Sequence, residues 1–237
     1  MGSGRVRDIR SVLEFFEAMG IDRIPVTLAA TKRAGKGPRR QDTAAAEPTT
    51  DEKREKLAML REEIGDCVRC KLSEHRTKIV YGDGDPGAAI MFVGEGPGKE
   101  EDLQGLPFVG DAGVLLTRLI EKMGLRRSDV YIANIVKCRP PLNRDPEDDE
   151  IATCRGFVER QVSIIRPEVI ITLGRIALQT LLDNPKLRIT AARGKFCDYR
   201  GIPLMPTFHP AYLLRNPGDK WKTWADAQKV MERIGLK

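Results

Sequence analysis

Four short apolar runs constrain this chain more than any other feature, because each ends in a loop of glycine, proline, amide or histidine. They are residues 88–94 (AAIMFVG), 130–136 (VYIANIV), 168–174 (EVIITLG) and 201–210 (GIPLMPTFHP). None shows the regular polar alternation of a strand with one wet face, so each reads as a strand buried on both sides. Helical stretches lie between and after them, at 112–123, 146–166, 175–182 and about 221–234. Strands that alternate with helices pair in parallel, since the helix supplies the crossover. The expected fold is a three-layer α/β/α domain with a central, mainly parallel four-stranded sheet. Ligands of such sheets bind beyond the carboxyl ends of the strands, and the unusual polar residues of this chain gather there.

The amino-terminal quarter reads differently. Residues 5–19 carry Val6, Ile9, Leu13 and Phe16 at helical spacing, with Gly20 as a stop. Residues 31–50 (TKRAGKGPRRQDTAAAEPTT) contain no large apolar side chain and bury too little to offset their ordering entropy. Residues 1–56 are therefore expected to be an extension, a short helix plus a disordered basic linker, ahead of a domain at 57–237. A helix over about 51–67 places Leu57, Leu60 and Ile64 on one face. No run of eighteen apolar residues is present and the start lacks a secretory pattern, so a soluble, cytoplasmic protein is expected, with no membrane partner. The net charge of +6 favours an anionic partner without naming one.

Five cysteines in a reducing compartment make an odd count for a disulfide framework. Cys67 and Cys70 form a C-x-x-C pair after a helix. Cys138 follows the second apolar run, and Cys154 lies in the next helix. Four thiolates from two separated segments suit zinc or an iron–sulfur cluster, and spacing does not choose between them. The bland alternative makes Cys138 and Cys154 small buried hydrophobes. Cys197 reads as a core cysteine.

The loops carry the remaining chemistry. Gly94-Glu95-Gly96-Pro97-Gly98 follows the first strand and lets the backbone turn tightly beside a ligand, but it matches neither a dinucleotide fingerprint nor a P-loop. Glu100, Glu101 and Asp102 come next, then LPFVG with Phe108 placed to stack on a planar ligand or to plug a core. Asn134 at a strand end is either a satisfied core amide or a ligand reader. His209 closes the fourth strand, where a lone histidine often serves structure alone. Tyr212, Leu213, Leu214 and Arg215 then set apolar side chains in a basic loop, as a minor-groove wedge requires, or simply pack the next turn. His75 has no evident role.

Together GEGPG, EED, LPFVG, ANIVKCRPPLNRDP, ITLG, HPAYLLR and the four-cysteine spacing resemble the family 4 uracil-DNA glycosylases, the iron–sulfur members of the uracil-DNA glycosylase superfamily. The resemblance covers roughly residues 57–237 and not the extension. It implies a structural [4Fe-4S] cluster on Cys67, Cys70, Cys138 and Cys154. It implies that Glu95 and Gly96 hold a flipped uracil and the attacking water, that Phe108 stacks on the base, that Asn134 reads its edge, and that His209 lies beside O2. Glu101 becomes a candidate wall against the thymine methyl. The most active branch of the superfamily has an Asp where Gly96 stands, so Glu95, Glu101 and Asn143 are the candidates for handling water. Gly105 to Gly110 contains no histidine, unlike the covalently trapping relatives, and no lysine is placed as a Schiff-base nucleophile.

The resulting expectation is a monofunctional enzyme that hydrolyses the N-glycosidic bond of uracil in single- or double-stranded DNA, leaves an abasic site and starts base excision repair. It would be a monomer, nucleoid-associated, with Tyr212, Leu213, Leu214 and Arg215 on the DNA and the extension as a candidate dock for a protein partner. The rival is a catalytically weak iron–sulfur nucleic-acid-binding module beside other repair or polymerase proteins.

Overall fold

The structure, a computed structural model, describes residues 48–236. The helix expected over residues 5–19 and all but the last three residues of the linker expected over 31–50 lie outside the described residues; of those three, Thr49 caps and Thr50 opens a helix, where disorder was expected. Helix α1 (Thr50–Ile64) opens on a capping box, in which the Thr49 hydroxyl accepts from the Glu52 amide and the Glu52 carboxylate accepts from the Thr49 amide. It buries Leu57, Leu60 and Ile64, the face read from the sequence. The domain start expected at residue 57 falls inside this helix.

The sheet has six strands: β1 (Asp83–Gly84), β2 (Ile90–Gly94), β3 (Tyr131–Asn134), β4 (Val169–Leu173), β5 (Cys197–Tyr199) and β6 (Ile202–Thr207), in the spatial order β1-β3-β2-β4-β6-β5. The central four, β3-β2-β4-β6, are parallel and are the four apolar runs of the sequence. Two short antiparallel strands, β1 and β5, flank them at the edges. Their brevity explains why no apolar run announced them, and short edges resist pairing with other chains.

Alternate residues of each central strand feed two separate cores. Met91, Val93, Ala133 and Ile170 pack with Leu57, Leu60, Val158 and Val162 on one side. Ile90, Phe92, Ile132 and Ile171 pack with Leu116, Ile120 and Val230 on the other. The first layer is α1 and α4 (Asp148–Ile165). The second is α3 (Asp111–Lys122) and α8 (Lys220–Arg233). The short helices α2 (Lys99–Gln104), α5 (Arg175–Leu181), α6 (Ile189–Ala192) and α7 (Pro210–Arg215) complete the order. Asp226 of α8 pins that helix to the sheet, accepting from the Thr207 hydroxyl at 2.7 Å while paired with Arg193. No described helix is long and apolar enough to cross a membrane.

Candidate active site

Parallel strands send their carboxyl ends the same way, and at that end lies a cleft of ≈470 Å³. Four loops border it, following β2, α2, β3 and β6. Of the residues singled out in the sequence, Glu95, Gly96, Glu101, Phe108, Asn134, Asn143, His209, Tyr212 and Arg215 all line this one cleft.

Asn134 ends β3 and is 1% exposed. Neither its Nδ2 nor its Oδ1 has a hydrogen-bond partner among the described residues. A buried amide left unpaired at both ends costs about 1–3 kcal/mol per group, so Asn134 is not the satisfied core amide that its sequence position also allowed. Beside it the buried Phe108 ring sits 5.6 Å, centroid to centroid, from the His209 ring. Phe108 adopts φ +50, rare for an aromatic residue, and is held there by close backbone packing: a Cβ on Gly113 would lie 1.9 Å from the Phe108 carbonyl oxygen. Gly94 is equally constrained, since a Cβ there would lie 2.4 Å from Asn134 Oδ1 and 2.5 Å from Phe108 Cζ. The glycine of the first loop thus makes room for the amide and the ring.

Burial, reinforced by the nearby Asp145 carboxylate, pushes the Glu95 carboxyl up to about 7, with Arg175 opposing. An acid tuned to that range can hold or give up a proton at neutral pH. Gly96 has Val136 Cγ2 only 2.7 Å from where a Cβ would stand, so a side chain there requires Val136 to move. Glu101 has another occupation. Its Oε1 accepts from the amides of Val109 and Gly110 at 2.8 and 2.9 Å, and Oε2 accepts from the Gly98 amide at 3.1 Å. It therefore clamps the Phe108 loop onto the glycine loop. Asn143 is exposed at the rim, with Oδ1 accepting from Arg139 Nε at 2.7 Å.

His209 caps α7: its Nδ1 accepts from the Ala211 amide at 3.1 Å. The proton of the neutral ring is then on Nε2. Burial holds the imidazole well below its usual range, at about 4, with Arg215 adding to the effect. His209 is thus a neutral N–H donor at working pH. The wedge expected over residues 212–215 is corrected here. Leu213 is 3% exposed and packed beside α3, buried where a wedge would have to stand free. Tyr212 donates its hydroxyl to Asp219 at 2.7 Å, while Leu214, 45% exposed, and Arg215 do face solvent.

The four cysteines Cys67, Cys70, Cys138 and Cys154 converge on a second, small cavity below β3. All are free thiols. Burial pushes the Cys138 thiol up to about 11 and raises that of Cys154, so both favour the neutral thiol. Donors already face the sulfurs: the Lys137 amide is 3.3 Å from Cys154 Sγ and Arg76 Nη1 is 3.7 Å from Cys138 Sγ. Among the described residues no group of three or more His, Cys, Asp or Glu side chains is arranged to hold a metal ion. Cys197 stands apart, partly exposed on the edge strand β5.

Two residues of the site were missed in the sequence. Lys137 is 2% exposed, and its Nζ donates to the Asn134 carbonyl at 2.8 Å and to Gln161 Oε1 at 2.7 Å. It fixes the end of the strand that presents Asn134, and no pattern marks a lysine as buried. Asp145 faces Glu95 and is paired with Arg175 at 2.5 Å. Its place two residues after Asn143 in the same loop was the available signal.

A parallel sheet whose strand ends assemble an unpaired amide, an aromatic ring and a neutral histidine defines a class, and sequence comparison agrees. Residues 81–231 match the uracil DNA glycosylase superfamily, and the chain belongs to it. Within it, the chain is similar to the type-4 uracil-DNA glycosylase of Thermotoga maritima, 50% identical over 163 residues, 68% of this chain and 85% of that protein. The type-4 uracil-DNA glycosylase of Saccharolobus solfataricus is 46% identical over 189 residues, 76% of this chain and 88% of that one. That of Sulfurisphaera tokodaii is 45% identical over 184 residues, 74% and 84%.

Proposed function

We propose that the protein is a monofunctional glycosylase that excises uracil from DNA, and that the unpaired Asn134 amide is its base reader. An enzyme that works on a base takes it out of the stack. Uracil presents O4 as acceptor beside the N3–H donor. Asn134 Nδ2 donates to O4 and its Oδ1 accepts from N3–H. Cytosine reverses both groups and would leave two buried pairs unmade, at about 1–3 kcal/mol each. Phe108 stacks on the base.

As the N1–C1′ bond breaks, its electron pair passes into the uracil ring and charge grows on O2. The His209 Nε2–H donates to that oxygen and, as a neutral donor, stabilises the anion through a hydrogen bond without handing over its proton. Water adds to C1′ and its proton goes to the Glu95 carboxylate. Glu101 acts as a positioning residue through the two loops that it ties together. Asn143 and Arg215 face the substrate strand.

Cys67, Cys70, Cys138 and Cys154 would hold a [4Fe-4S] cluster, supported by the four-thiol cavity and the donors aimed at it. Bound there, it supplies a crosslink between the loop after α1, the loop after β3 and α4. The protein's own part is to shield it, with Phe157 and Ile64 lining the same cavity.

The test is incubation of cluster-loaded protein with uracil-containing oligonucleotides, single- and double-stranded, followed by alkaline cleavage. Strand scission at the uracil and none at cytosine is expected. Intact strands would leave the chain a nucleic-acid-binding module.

A further inference from the structure

With Leu213 buried, Leu214 is left as the exposed leucine of the expected wedge. The loop after β3, whose Pro140, Asn143 and Arg144 line the cleft, carries a second. Leu142 is 96% exposed, the most exposed large apolar side chain among the described residues. It is not a loose tip. Leu142 and Asn143 adopt φ +54 and +56 in succession, a left-handed backbone that L-residues avoid and that persists only where surroundings impose it. The surroundings do so here. Pro140 and Pro141 precede the turn, and its amides close on them: Asn143 N–H donates to the Pro140 carbonyl at 3.0 Å and Arg144 N–H to that of Pro141 at 3.1 Å. Arg139 bridges to Asn143 Oδ1, and Arg144 makes two bonds, of 2.8 and 2.7 Å, to the fully buried Glu150. A rigid, strained turn thus holds one leucine fully in water, while its neighbours Pro140, Asn143 and Arg144 line the cleft. Neither core packing nor solubility explains that arrangement.

We propose that Leu142 is a wedge for duplex DNA, entering the base stack beside the extruded nucleotide. The inference rests on the glycosylase reading above. Apolar side chains that enter base steps replace the stacking lost when a base leaves, and a preorganised wedge avoids the ordering cost of a mobile one. Arg139, on the same turn, offers positive charge to the flanking phosphates. Single strands have no stack to open, so the contribution belongs to duplex substrate.

The experiment compares wild type, Leu142→Ala and Leu142→Met for kcat/KM on one uracil sequence as single strand and as duplex. Met59→Ala, at an exposed position on α1, is the surface control. For Leu142→Ala the ratio of duplex to single-strand activity should fall about tenfold, with an unchanged unfolding midpoint. Leu142→Met, still long and apolar, should recover most of it. An unchanged ratio, or a lowered midpoint that tracks the loss, would overturn the proposal. So would a wild-type protein active on single strands alone. Absence of uracil release by wild type on either substrate would instead strike the glycosylase reading.

Discussion

Asn134, the proposed base reader, has both ends of its amide buried and unmatched. Replacing it with aspartate keeps the shape and removes the donor to O4, placing two acceptors face to face. Asn134→Asp should lower kcat/KM on uracil by about two orders of magnitude, roughly 3 kcal/mol, as expected when a buried donor is lost; a titration of rate against substrate measures it. Glu95 makes the second test. With its carboxyl at about 7, the protonated form predominates below that pH and is unable to take a proton from water. Activity should therefore rise with pH up to about 7 and level above it. Glu95→Gln should be slow and should lack that limb in a pH–rate profile. The limb does not belong to His209, whose ring stays neutral down to about 4.

Strand β3 and helix α4 show how elements, not single side chains, aim the reader. Lys137 leaves the sheet one turn after Asn134 and bonds back to its carbonyl, and Gln161 of α4 takes the other hydrogen bond while donating to the Tyr81 carbonyl at 2.9 Å. Lys137→Met fills a similar volume but strips two buried acceptors of their donor. It should destabilise the fold by about 2–6 kcal/mol in denaturant unfolding, at about 1–3 kcal/mol per orphaned group, and raise KM for uracil-DNA more than it lowers kcat. Much of this level was legible. The four central strands, the apolar face of α1 and the loops at the strand ends follow from periodicity and from the turn chemistry of glycine and proline. The edge strands β1 and β5 were not, because two or three residues of antiparallel pairing leave no periodic signal. Leu213 was misassigned for a related reason: in LLR both leucines look equally available, and only the direction of a six-residue helix sends one inward and leaves the other out.

Across the whole molecule, the segment from Asn134 to Cys138 serves two cavities: Asn134 lines the cleft, and Lys137 and Cys138 line the cysteine cavity. A centre bound by the four thiols would join segments more than eighty residues apart, and ligands that bind only the folded chain stabilise it. Stripping the cluster should lower the thermal midpoint by several degrees and bleach the absorbance near about 400 nm together. A midpoint that stays put as the colour fades would make the cysteines bystanders to stability. The sequence alone determined the class of fold, the loops that form the site and the residue types within it. Those follow from local periodicity, backbone preferences and motifs whose chemistry survives out of context. Only the tertiary structure decided that Asn134 is unpaired, that Glu101 is a clamp, that Lys137 is buried beneath the reader, and that Leu142 and not Leu213 meets the solvent. Each of these depends on which distant groups converge on a point, and convergence is a property of packing that no spacing along the chain records.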